Sequence, residues 1–213
     1  MRGSTLFTDV TGWFGRIRSR FTSDRSGAAA IEFALVMPLL LVMYFATMEV
    51  SQGIETHKKL GRVASTVGDL ITRQREMTPG DLQAIMGIGK AILTPYGRSK
   101  PTITATGIRI VSGNATVVWS QRLTDDRFGA GVAANTTTTV PAKLLESDKF
   151  LVRVTADMNY RPMLTWSASS GSDVSGLGLL GRIFNDNGGL QMDEIYYMMP
   201  RQTAEILCTD CRS

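Results

Sequence analysis

Few side chains in this sequence are equipped for bond-making chemistry. Its two cysteines stand as Cys208-Thr209-Asp210-Cys211, and its single histidine is His57. A C-x-x-C pair can exchange dithiol for disulfide, but the thioredoxin-like version opens a helix in a βαβ context, and no such pattern surrounds this one. An attacking thiol must also ionise beside a cation; Arg212 is adjacent, and Asp210 opposes it. Cys208 and Cys211 therefore read as a candidate structural disulfide that folds a tail back after the last strand. Zinc needs four ligands at defined spacings, and a Ser-His-Asp triad would have to recruit His57, which reads as a solvated helix residue. No G-x-S-x-G, no Walker A loop and no G-x-G-x-x-G opening a helix occurs. These readings predict no enzyme, no metal and no cofactor.

One carboxylate is out of place. Residues 28–50 are apolar apart from Glu32 and Glu49, and the 16 residues Phe33 to Met48 between them carry no charge. Crossing a bilayer takes ~20 mostly apolar residues, so 28–50 reads as a transmembrane segment with the two glutamates at the interfaces. A carboxylate deeper in the bilayer costs ~2.5–3.5 kcal/mol on an insertion scale. Glu32 gains a reason if the chain is cut after Gly27. It then becomes the fifth residue of the mature chain, close to a new cationic amine on Ala28. This arrangement resembles the class III signal of type IV pilins: a Gly before the cut, a Glu at mature position five, and an aromatic next to it, here Phe33. The resemblance implies a prepilin peptidase acting on the cytoplasmic side, with the apolar segment retained. An ordinary signal anchor accounts for the apolar run but not for the joint pattern. In a secretory signal peptide the small-residue cleavage site should follow the apolar run, and Ala28-Ala29-Ala30 precedes it.

Charge supports the same topology. The net charge is +4, yet residues 1–27 hold five arginines against two aspartates, while the rest holds 18 basic and 17 acidic residues. The surplus belongs to a leader, 1–27, and reads as a cytoplasmic N-terminus by the positive-inside rule. A nucleic-acid-binding domain would carry its basic stripe on the folded part, so no nucleic-acid partner is expected.

The elements that position these residues follow from periodicity. The helix is predicted to run on from the apolar segment to about residue 75, because Leu60, Val63, Ala64, Val67, Leu70 and Ile71 recur at helical spacing, with a kink at Pro38, which removes a backbone donor. Thr78-Pro79-Gly80-Asp81 opens a second, shorter helix that Pro95 and Gly97 end. Residues 102–111 and 115–121 form a hairpin around a three-residue turn, Ser112-Gly113-Asn114, with a bulge near Gly107. Residues 125–141 read as a loop. Phe150 to Tyr160 alternate cleanly as a strand with Phe150, Val152, Val154, Ala156, Met158 and Tyr160 toward the helix. The Ser/Gly-rich stretch 165–189 reads as a short helix or a flap around Leu177 to Phe184. Residues 192–199 give a fourth strand and 203–208 a fifth. The fold class is α+β, a long transmembrane-then-amphipathic helix packed on an antiparallel β-meander, with residues 51–213 as the extracytoplasmic domain.

This order of features, with Gly27-Ala28-Ala29-Ala30-Ile31-Glu32-Phe33 at its head and Pro200-Arg201 before a cysteine at its end, is similar to the TadE/TadG-like minor pilins, or pseudopilins, of the tight-adherence (Flp) pilus. Asp173-Val174-Ser175-Gly176-Leu177 lacks the second Ser of the D-x-S-x-S motif of larger TadG-type members, which favours the TadE side. The resemblance implies a bacterial inner-membrane protein with a periplasmic domain. It also implies prepilin peptidase, other minor and major pilins and membrane lipid as partners, and a part in pilus assembly without catalysis. The alternative is an uncut anchored scaffold that recruits secretion components.

Overall fold

The computed structural model describes residues 27–94, 96–97, 99–162 and 189–211. Residues 1–26 of the expected leader and the Leu177 to Phe184 patch lie outside the described residues. The chain divides into two compact units after Met48.

Helix α1 spans Ala28–Thr72 and continues through Pro38. In the first unit its residues are exposed throughout 28–47. In the second unit its face at Leu60, Val63, Ala64, Val67 and Ile71 is buried, each large side chain contributing ~1.5–3 kcal/mol by leaving water. Helix α2 spans Pro79–Ala91. Thr78 caps it: the Asp81 amide donates to Thr78 Oγ1 (3.3 Å), and the Thr78 amide donates to Asp81 Oδ2 (2.9 Å). Such a reciprocal box satisfies two donors that a helix start leaves orphaned. The Thr78 hydroxyl, and then its backbone amide, hold the Asp81 carboxyl below its usual pKa. The helices touch at Gly89, where a Cβ would stand 2.6 Å from Val67 Cγ2 and 3.2 Å from Val63 Cγ1.

Strands β1 (Glu76–Met77), β2 (Thr102–Val111), β3 (Asn114–Thr124), β4 (Arg127–Ala130), β5 (Lys149–Tyr160), β6 (Leu190–Met198) and β7 (Leu207–Cys208) complete the described elements. Among the described residues, five of them form an antiparallel sheet in the order β4-β3-β2-β5-β6, and β1 pairs with β7 in parallel. The fold is therefore α+β, as expected, with one departure from a simple meander: after β4 the chain returns to lay β5 beside β2. The β2–β3 turn has two residues, not three. Val111 pairs with Asn114, leaving Ser112 and Gly113 at φ 49° and 78°, the type I′ geometry whose twist suits a hairpin. The bulge falls at the expected place. Pairing steps from Gly107 and Trp119 to Ile108 and Val117, so Val118 is the extra residue. A second hairpin, within the stretch 125–141 expected to be a loop, turns through Asp125 and Asp126 at φ 48° and 69°.

Two apolar clusters flank the sheet. The larger joins α1 and α2 to Ile103, Ala105, Trp119 and the alternating Val152, Val154, Ala156, Met158 and Tyr160 of β5, which is the strand face expected to meet the helix. The smaller buries Ile108, Ile110, Ala115 and Leu151 under Val140 and the 3₁₀ turn Ala142–Leu144.

Candidate functional site

Two places in the molecule gather the residues singled out by the sequence. At the head of α1, Gly27 precedes the first helical residue, Ala28, and Glu32 and Phe33 follow one turn later. Positions 28 and 32 are four apart and share a helix face, so an amine on Ala28 would stand one turn from the Glu32 carboxylate. A Cβ added at Gly27 would meet nothing within 4 Å. The chain's own packing does not demand glycine there. Ile31, Phe33, Leu35, Leu39 and Leu40 are all exposed, and the most apolar window of α1 has no buried residue. The helix is long and apolar enough to cross a membrane. What this surface can do is meet lipid or other apolar helices.

At the far end of α1, residues 201–211 are laced onto the domain. The last turn of α1 carries no basic residue, although cations are favoured at a helix C-terminus. Arg201 supplies one: its Nη2 lies 2.7 Å from Asp69 Oδ1, and its backbone amide donates to the orphan Thr72 carbonyl (2.9 Å). Arg73 pairs with the other Asp69 oxygen at 2.7 Å. Farther on, Glu205 pairs with Arg109. The buried Trp119 Nε1 donates to the Ile206 carbonyl (2.9 Å), Thr209 N to Met77 O (3.0 Å), and Gln121 Nε2 to Cys211 O (3.3 Å). Cys208 and Cys211 are brought together with their Cα atoms 5.4 Å apart, and Cys211 is buried. No sequence signal pointed to Arg201 as a helix cap, because its partner is distant in the chain and neither residue type is unusual alone.

His57 is an exposed helix residue, as expected, and it has a neighbour the sequence did not indicate. Its Nε2 lies 3.2 Å from Glu194 Oε1, where α1 runs over β6 and the nearest atoms to Gly61 belong to Tyr196 and Glu194. Nearby, the Tyr160 hydroxyl donates to Glu49 Oε1 (2.7 Å) and its ring stacks on Tyr96 with centroids 5.3 Å apart. His57, Glu49 and Tyr160 border an open, mainly apolar cavity of about 490 Å³ that Val50, Ile54, Leu190 and Met192 also line. Among the described residues, no three His, Cys, Asp or Glu side chains stand together as a metal site would require.

Residues 27–68 match the family described as TadE-like protein. That span starts at Gly27 and covers the exposed part of α1 and most of its buried part. No curated protein and no solved structure matches the chain.

Proposed function

We propose that this chain, TadE-like over the greater part of α1, is a membrane-anchored minor pilin or pseudopilin that takes part in assembling a tight-adherence pilus. The observation that carries the reading is the exposed apolar face of α1 with Glu32 set five residues past Gly27, inside the segment that matches the family. In this reading a prepilin peptidase cuts after Gly27 on the cytoplasmic side of the inner membrane. Residues 28–50 stay in the bilayer, and the domain from residue 51 on lies in the periplasm. The partners are the peptidase, other minor and major pilins and lipid, and the chain performs no catalysis. The Glu32 carboxylate pairs with the freed Ala28 amine where screening is poor.

Mass spectrometry of the native membrane protein tests this: a mature N-terminus at Ala28 supports it, and an intact leader favours the uncut scaffold that recruits secretion components. Gly27→Val should leave a full-length membrane protein, because a branched side chain crowds the cut; normal shortening of that variant removes the proposed site. Glu32→Gln should be shortened normally and fail in pilus assembly. Full pilus function in Glu32→Gln would refute the amine pairing while leaving the cut untouched.

A further inference from the structure

The two edges of the five-stranded sheet are treated differently. On one side, β4 pairs with Gln121 to Thr124, and the chain then continues along β3. Val117 N donates to Thr136 O, Asn135 N to Val117 O, and Thr138 N to Ala115 O. That edge is closed along most of its length. On the other side β6 is the last strand, nine residues long, with no strand beyond it among the described residues. Unpaired strand edges invite another strand, and proteins blunt them with proline, lysine, bulges or shortness. Between Leu190 and Met198, β6 has no proline, no lysine and no register shift against β5. Ile195 and Tyr196 remain exposed there, Ile195 by 49%.

The charge on this edge is specific. Asp193 stands directly opposite Asp157 of β5, and like charges directly across a ladder are destabilising. Burial pushes the Asp157 carboxyl above its usual pKa; Arg122 opposes the push and Asp193 adds to it. A cation beyond Asp193 would relieve the pair. We propose that the outer edge of β6, from Asp193 to Met198, receives an extended segment of another polypeptide that carries a Lys or Arg opposite Asp193. Main-chain bonds give such an added strand its affinity and alternate side chains its specificity. A second copy of this chain is the poorer occupant, because its β6 would bring a further Asp193 and Glu194 to an edge already in carboxylate excess. The inference does not depend on cleavage at Gly27 or on a pilus.

The probe is an acetylated, amidated peptide, Val-Thr-Val-Lys-Val-Thr-Val, against its twin with Glu in place of Lys. Both are titrated into the full chain in detergent micelles and followed by fluorescence anisotropy. The Lys peptide should bind about two- to five-fold more tightly, the span of a cross-strand charge pair. Asp193→Asn should erase the preference and Asp193→Lys should invert it, each melting at or above the wild-type temperature because the repulsion with Asp157 is gone. Failure of both peptides to bind, equal binding, or a preference that survives Asp193→Asn would overturn the proposal and leave Asp193 as a guard against strand addition. Dimers cross-linked β6 to β6 would overturn it as well, in favour of a second copy.

Discussion

In the first half of α1, Leu35 and Leu39 are 81% and 62% exposed; in the second half Leu60 is 0% exposed. The same residue type on one continuous helix meets two environments. Residues 28–48 are apolar on every side, so the burial of one face cannot be what selected them. Residues 49–72 keep one apolar stripe and place Glu55, Lys58, Lys59, Arg62 and Asp69 near or beside it in the sequence. The stripe is what a sheet and a second helix require; the uniform surface is what lipid or a ring of other helices requires. Helix formation alone therefore says nothing about role. The angular spread of apolar residues does.

Leu60→Ala should break the buried half most severely, costing ~2–5 kcal/mol of unfolding free energy through lost burial and a residual cavity. Leu39→Ala should change the same quantity by no more than ~0.5 kcal/mol. Denaturant unfolding of the full chain in micelles measures both, and equal losses would mean the two halves are not distinct. Gly87 and Gly89 sharpen the contrast on α2. A Cβ at Gly87 meets nothing within 4 Å, whereas one at Gly89 runs into Val67 and Val63 of the buried half. Gly87→Ala should raise stability by up to ~1 kcal/mol through helix propensity. Gly89→Ala should lose ~1–3 kcal/mol to overpacking, less that same gain. Thermal melts that move in one direction for both would refute the close approach.

Acid gives the smallest effect and acts only on the second unit. The carboxyl of Asp126 accepts from Lys100 and Lys90, and these bonds lower its pKa from 3.8 to about 2. A depressed carboxylate stabilises fully above its unfolded value, and the contribution fades as pH falls through about 2. Melting temperature should thus begin to drop below about pH 4 from this source, and Asp126→Asn should flatten that part of the curve. The helical signal of residues 28–48, which hold one carboxylate, should persist.

The long elements were legible because their periods are long. The alternation from Phe150 to Tyr160 in β5 and the Thr78 cap of α2 each left a local signature. The short pieces were not. β1 and β7 are two residues each and exist only by pairing with one another. β4 is Arg-Phe-Gly-Ala, with a glycine and no alternation to read. The run at Thr136 to Thr139 looked like a polar loop, and its backbone in fact pairs with β3. At the candidate site, Gly27, Ala28, Glu32 and Phe33 could be named because their meaning lies in spacing along one helix. The His57–Glu194 and Arg201–Asp69 contacts could not, since each joins ordinary residues across more than a hundred positions.

The lacing of residues 201–211 sets a clock on synthesis. Arg75 and Gln202, which hydrogen-bond beside the end of α1, are 127 positions apart, and Trp119 and Gln121 wait 87 and 90 positions for Ile206 and Cys211. Chains grow at ~5–20 residues per second, so the interval between making Arg75 and making Gln202 is roughly 6 to 25 s. Local helix forms in about a microsecond or less, and contacts this distant cannot form before their second partner exists. For those seconds the stripe at Leu60, Val63, Val67 and Ile71 has no completed sheet to cover it. For that time the stripe of the second half stands open, as the surface of the first half does in the finished chain, and an aggregation-prone interval is built into the order of synthesis.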